Sequence, residues 1–261
     1  MAEPSGHRAR KRFGQNFLQD EHIIQSIIDC VAPRSHQHFF EIGPGLGALT
    51  RPLLQHLDRL DVIELDRDVI PLLKRNCGED DKLIVHESDV LKFDFGSHRY
   101  ADGLRIVGNL PYNISTAVLF HLLSYRADIK DMHFMLQKEV VDRICAVPGN
   151  KDYGRLSIML QTWFDTDWLF DVPPESFSPA PKVMSAIVRL VPHDRFEERI
   201  RDPQQYAEMV RLAFSQRRKT LRNTLRSVCS SVQMEVAGID PGARAEQLEV
   251  ADFITLHQSL T

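Results

Sequence analysis

Residues 38–50 read HFFEIGPGLGALT. An apolar run, HFFEI, breaks at Gly43, Gly45 and Gly47. It then gives way to ALTRPLLQHL (48–57), whose apolar residues recur at helical spacing. The reading is a buried strand, a tight glycine turn and an amphipathic helix. Glycines at such a junction allow the turn and let the backbone approach a ligand closely. Open α/β sheets bind their ligands at the carboxyl ends of strands, which is where this loop falls.

The pattern repeats outward from there. LDVIEL (60–65), KLIVHE (82–87), LRIVGNL (104–110) and MHFMLQ (132–137) read as strands. HIIQSIIDCV (22–31), RDVIPLLKRN (67–76), STAVLFHLLS (115–124) and KEVVDRIC (138–145) read as helices. Strands alternating with helices at this pitch give an α/β fold with an open, mostly parallel sheet. After about residue 165 the proline-rich FDVPPESFSPAPKVMSAIVRLVP suggests a loop and a late antiparallel strand, and the chain beyond 203 reads as helical. The expected division is therefore a sheet domain over 1–190 and a small all-α domain over 191–261.

The chain has 261 residues, 43% hydrophobic and 26% charged, which suits a soluble protein with one large core and a smaller appendage. No apolar stretch approaches the length of a membrane span, and the basic start lacks an apolar signal core, so the expected setting is cytoplasmic. Four scattered cysteines form no metal or redox spacing, and none of the eleven histidines forms an H-E-x-x-H pair, so no metal site is expected. The net charge of −4 argues against a uniformly basic surface. Positive charge is nevertheless concentrated, at Arg8, Arg10, Lys11 and Arg12 and again at Arg211, Arg217, Arg218, Lys219, Arg222 and Arg226. Local patches of this kind decide polyanion binding more than the total does.

Two acids are spaced for a nucleoside. Glu64 ends the second strand, 21 residues after Gly43, where a carboxylate accepts ribose hydroxyls. Asp89, just past the third strand, can accept from an adenine amino group or merely cap a turn. Gly43, Gly45 and Ala48 also satisfy the dinucleotide fingerprint. Pro44 disfavours a pyrophosphate, because it offers no N–H inside the loop. S-adenosylmethionine carries ribose and adenine without phosphate.

The fourth strand ends in Asn109-Leu110-Pro111-Tyr112. Adenine N6 is a weak nucleophile because its lone pair is delocalised into the ring. An Asn109 side-chain oxygen and the Leu110 carbonyl can accept its two hydrogens, favouring a pyramidal nitrogen aimed at a methyl donor. Pro111 fixes its own φ and holds Leu110 extended, and Tyr112 offers a face on which a splayed-out base stacks. A plain strand-end turn uses the same residue types. Phe177, in a proline-stiffened loop, is a second candidate for the base pocket or else a hydrophobic plug.

On a helical wheel, residues 210–228 give one apolar stripe beside one basic face, with Arg217 falling in the apolar stripe unless the helix breaks near Ser215. No Asp or Glu occurs from Met209 to Met234. The basic face is therefore a candidate for contact with RNA phosphates.

GQNFL (14–18), EIGPGLGALT (41–50), VIELD (62–66), SDVL (88–91), NLPYNIS (109–115) and FSPAPKV (177–183) occur in that order. Together they resemble the ribosomal RNA adenine dimethyltransferases, over almost the whole chain and most closely the bacterial small-subunit branch. The resemblance implies a Rossmann-like class I methyltransferase sheet with S-adenosylmethionine as cofactor. It implies that Gln15, Asn16 and Leu18 fold over the donor and that Gly43 and Gly45 lie near its methionine portion. Glu64 would hold the ribose and Asp89 the adenine, with Asn109, Leu110, Pro111, Tyr112 and Phe177 at the target base. The substrate implied is a pair of adjacent adenines near the 3′ end of 16S ribosomal RNA, within the immature small subunit, modified by a monomer. The alternatives are a 23S adenine methyltransferase of the macrolide-resistance type, and an assembly factor for which methylation is secondary. An NAD-dependent oxidoreductase fits the loop but gives NLPY and the basic segment no purpose.

Overall fold

The computed structural model describes residues 16–260. Chain contacts divide it into two compact units. One comprises the chain through Val141 together with Asp167–Pro192; the other comprises Asp142–Thr166 together with the chain from His193. Asp142–Thr166, which the sequence reading placed in the sheet domain, groups with the C-terminal part. That assignment was hidden because the helix begun at Lys138 runs on without a break in its pattern.

The first unit begins with β1 (Phe17–Leu18) and α1 (Glu21–Val31). Asp20 caps α1 by accepting from the backbone N–H of His22 and Ile23, and Ile24, Ile27, Ile28 and Val31 form its buried face. There follow β2 (His38–Ile42), α2 (Thr50–His56), β3 (Leu60–Glu64), α3 (Ile70–Asn76), β4 (Leu83–Glu87), β5 (Leu104–Asn109), α4 (Ser115–Leu123), β6 (Ile129–Gln137) and α5 (Lys138–Ile144). Next come α6 (Arg155–Gln161), β7 (Phe164–Val172), β8 (Phe177–Ser178) and β9 (Ser185–Pro192). Seven strands form one sheet in the order β4-β3-β2-β5-β6-β9-β7. Pairings from β4 to β6 are parallel, and β9 joins β6 antiparallel, as the late strand was expected to do.

The central strands are buried on both faces, which is why they read as continuous apolar runs. Among the buried polar residues that interrupt them is Arg105 in β5. Its guanidinium donates to Asp131 Oδ1 at 2.9 Å, Gln37 Oε1 at 2.7 Å and the Val31 carbonyl at 2.7 Å, tying the end of α1 to the sheet. β7 has no counterpart in the sequence reading, because three aspartates interrupt FDTDWLFDV. It lies at the edge of the sheet, where charged side chains face water; Asp167 pairs there with Arg189 at 2.9 Å.

β1 pairs antiparallel with β8, with Leu18 opposite Phe177, and Gln19 N–H extends the ladder to the Ser176 carbonyl at 2.9 Å. Ser176 Oγ also donates to Asp20 Oδ2 at 3.1 Å. Two motifs some 160 positions apart in the chain are thereby fixed to one another.

The second unit is helical apart from the first three residues of β7. It contains α6, α7 (Pro203–Ala213), α8 (Leu221–Thr224), α9 (Ser231–Val236) and α10 (Val250–Gln258). Tyr206 and Phe253 are fully buried, and the Tyr206 hydroxyl lies 2.8 Å from Thr162 Oγ1. Of the two readings of 210–228, the structure has the break near Ser215: α7 ends at Ala213, and helix resumes for one turn at Leu221–Thr224. The break spares Arg217 the burial that a continuous wheel would impose. Among the described residues no helix is long and apolar enough to cross a membrane.

Gly108 of β5 sits opposite Ile42 of β2. A Cβ at position 108 would lie 2.5 Å from the Ile42 carbonyl oxygen, which is backbone and cannot swing aside. Gly108→Ala is expected to destabilise the protein by about 1–3 kcal/mol through overpacking, measured as a lowered midpoint in urea unfolding.

Candidate active site

The sheet reverses its winding between β2 and β5: the chain builds outward from β2 through β3 to β4, then returns to lay β5 on the other side of β2. A crevice opens at the carboxyl ends of strands at such a switch point. Here it is a cavity of about 370 Å³, and its walls come from the ends of β2, β3, β4 and β5 together with Asn16, Phe17 and Leu18.

The glycine loop follows from local geometry. Gly43 and Gly45 have positive φ, 67° and 54°. Gly43 N–H continues the β2–β3 ladder by donating to the Ile63 carbonyl at 3.0 Å. A Cβ on Gly45 would meet the Phe17 ring at 3.2 Å, so only glycine fits both the conformation and the space. Phe17 thus closes over the loop, a contact that the sequence reading did not identify.

Glu64 is 9% exposed. Burial pushes its carboxyl up, while backbone N–H groups of Asp66, Leu65 and Gly45 pull the other way. Its Oε1 accepts from Asp66 N at 2.8 Å. Asp89 lines the same cavity and also caps the short turn Val90–Lys92, its Oδ1 accepting from Leu91 N at 3.0 Å. The two readings of Asp89 therefore coexist, since one carboxylate oxygen suffices for the cap.

A third acid was missed. Glu41 is 2% exposed, lines the cavity, and accepts from Thr50 Oγ1 at 2.6 Å. Burial pushes its carboxyl up to about 8. The sequence signal was present: an acid inside an otherwise apolar strand, one residue before the glycine loop.

Asn109 ends β5 and donates from Nδ2 to the Asn16 backbone carbonyl at 3.1 Å. A carbonyl can only accept, so this contact fixes which end of the amide is which and leaves Oδ1 as the acceptor end. Leu110 is fully buried and donates its N–H to the Met135 carbonyl at 3.2 Å, so its side chain serves the core and its backbone the cavity wall. The Pro111 carbonyl accepts from Ile114 N at 3.1 Å, closing the turn into α4. Tyr112 is half-buried on the cavity wall, its hydroxyl 2.8 Å from Ser185 Oγ. For Phe177 the surroundings are those of the hydrophobic plug, the second of its two readings. It is 5% exposed and packs in the hydrophobic core with Leu18, Ile187 and Val172, and it is not part of the cavity wall. Its pairing with Leu18 makes it the anchor of β1. Gln15, like the basic residues Arg8 to Arg12, lies outside the described residues.

Among the described residues the wall carries three carboxyl groups and no Lys, Arg or His. A pyrophosphate would sit among carboxylates without a cation, beside a proline that cannot donate. S-adenosylmethionine, with a positive sulfonium and no phosphate, matches the charge, and Glu64 and Asp89 match its hydroxyls and amino group.

In the second unit all six basic candidates are exposed. Arg211 forms a bidentate pair with Glu208, at 2.6 Å, one residue outside the acid-free stretch. Arg217 donates to the Lys151 carbonyl. Arg218, Lys219, Arg222 and Arg226 make no ion pair among the described residues.

The family model described as "Ribosomal RNA adenine dimethylase" matches residues 6–261. Ribosomal RNA small subunit methyltransferase A of Thiobacillus denitrificans is 56% identical over 247 residues, 95% of this chain and 96% of that protein. The protein of the same name from Pseudomonas aeruginosa is 53% identical over 261 residues, covering 100% and 97%. A dimethyladenosine transferase from Plasmodium falciparum superposes with a TM-score of 0.80 at 27% identity, over 92% of this chain and 95% of that one. The 23S rRNA methyltransferase ErmE gives 0.68 at 25% identity, over 94% and 99%. The fold is the class I methyltransferase fold, the methyl donor is S-adenosylmethionine, the substrate is RNA, and the chain belongs to the ribosomal RNA adenine dimethylase family.

Proposed function

We propose that this chain dimethylates N6 of two adjacent adenines in a hairpin near the 3′ end of 16S ribosomal RNA, acting as a cytoplasmic monomer on the immature small subunit. The observation that carries the reading is the Asn109 amide on the wall of an acid-lined cavity, with its Nδ2 engaged by the Asn16 carbonyl and its Oδ1 left as the acceptor end. The small-subunit choice over the 23S type rests on relatives of that name at 51–56% identity against 25% for ErmE.

In this reading Asn16, Leu18, Gly43, Gly45, Glu64 and Asp89 hold S-adenosylmethionine, which supplies an electrophilic methyl group on sulfur. Asn109 Oδ1 and the Leu110 carbonyl accept the two N6 hydrogens of the target adenine. That arrangement turns the nitrogen lone pair out of the ring plane and toward the carbon to be transferred. Tyr112, its hydroxyl tethered to Ser185, presents its ring to the base. The donor would supply the methyl group and leave as the neutral thioether, while Asn109 Oδ1 and the Leu110 carbonyl would hold the N6 hydrogens until one is lost to solvent. For the second transfer the singly methylated nitrogen retains only one hydrogen, so a single acceptor suffices.

The basic segment of the second unit supplies position and leaves selection of the base to the cavity. Four exposed, unpaired cations make this a salt-sensitive contact.

Incubation with labelled S-adenosylmethionine and undermethylated small subunits, followed by nucleoside mass spectrometry, is expected to yield N6,N6-dimethyladenosine in 16S and none in 23S RNA. Label confined to 23S RNA would overturn the assignment. Asn109→Ala, assayed at saturating donor, is expected to lower the methylation rate about 100-fold or more. Replacing Arg218, Lys219, Arg222 and Arg226 by alanine is expected to reduce the salt slope of subunit binding by about 2–4, read from affinities across a potassium chloride series. An unchanged slope would remove these residues from the interface.

A further inference from the structure

Glu41 takes part in none of the roles above, yet it is the most deeply buried carboxyl on the cavity wall. It lies within β2, flanked in register by Val62 of β3 and Val107 of β5, which offer it no polar partner. Thr50, at the start of α2, supplies its one hydrogen-bond donor, at 2.6 Å. Glu64, on β3, raises it further, and Asp89 stands on the same wall. Cys77, at the end of α3, is a titratable neighbour whose thiol is itself pushed up to about 11, by burial first and by Glu41 second, against the pull of the Arg51 guanidinium on α2. Among the described residues the cavity wall itself carries no cation. A carboxyl so placed is neutral until a positive charge arrives.

We propose that Glu41 is the counter-charge for the sulfonium of the methyl donor, and that it makes the cavity select the charged donor over the neutral thioether product. The inference rests on S-adenosylmethionine as donor and adds a residue and a selection rule to that reading. Before binding, Glu41 carries a proton and shares the cavity with Glu64 at little electrostatic cost. When the donor's positive charge enters, Glu41 releases its proton to solvent and becomes the anion that faces it. Once the methyl group has left, the sulfur is neutral, and an ionised Glu41 beside Glu64 is again unfavourable. Glu41 then regains a proton, and the product is held less tightly than the donor was. Charge change on sulfur is thereby converted into product release.

Isothermal titration calorimetry on the full chain tests this. Donor and S-adenosylhomocysteine are each titrated at pH 7 in two buffers of different ionisation enthalpy, which counts protons released. Donor binding is expected to release close to one proton more than product binding. Donor affinity is also expected to rise with pH, by up to about tenfold per unit below pH 8, and to level off above it. Glu41→Gln keeps the side-chain shape and the Thr50 contact. In that variant the proton release should vanish, and donor affinity should fall at least tenfold while product affinity changes less than threefold. Equal proton counts for the two ligands in the unaltered protein would overturn the inference, as would an equal loss of both affinities in a folded Glu41→Gln. Failure of both ligands to bind would overturn the donor reading itself, which separates the two outcomes.

Discussion

The parallel pairing of β2 with β5 is the constraint on which the site depends. It sets Ile42 opposite Gly108, so that the glycine loop leaves one strand beside the point where Asn109 ends the other. The approach is tight enough that position 108 tolerates no side chain. The glycine loop and Asn109 therefore share one backbone frame, and neither can shift without the other. Methyl transfer needs this, since sub-ångström errors in the distance between nitrogen and carbon cost rate steeply.

β1 completes that frame from outside the sheet. It crosses the cavity with Phe17 against Gly45 and the Asn16 carbonyl on Asn109 Nδ2. Its two-residue pairing with β8 is short, and two backbone residues alone would hold it weakly. The Gln19–Ser176 and Ser176–Asp20 bonds and the burial of Phe177 against Leu18 make up the difference. A segment so anchored orders the acceptor amide and covers the glycine loop at once, which couples formation of the donor site to formation of the base site.

Much of this was legible in the sequence, and the failures have physical causes. Strand–helix alternation gave the sheet because buried parallel strands are apolar runs. Glu64 and Asp89 were found because strand periodicity places chain positions at the carboxyl end of the sheet. β7 was lost because an edge strand carries charges that break the apolar pattern. Over 210–228 a wheel registers spacing and leaves open where the backbone turns, which Arg217 in the apolar stripe alone hinted at; Phe214 closes α7, Arg217, Arg218 and Lys219 follow in a loop, and Arg222 stands on α8. Arg211 was counted as free because its partner, Glu208, stood one residue beyond the window. Phe177 was placed at the base because aromatic rings serve pockets and cores alike, and only tertiary packing distinguishes the two. Glu41 escaped because an acid in an apolar strand looks like an interruption until its surroundings are known.

The distribution of charge links the two units. The cavity bears acids alone, which suits a cationic donor and repels phosphate; the C-terminal unit bears exposed cations, which suit phosphate and would repel the donor. A net charge of −4 averages these opposed surfaces into a value that describes neither. Carboxyls on the described cavity wall disfavour a phosphate there on charge alone, whereas an uncharged purine meets no such penalty, so the proposed selection of a base would begin as exclusion of phosphate.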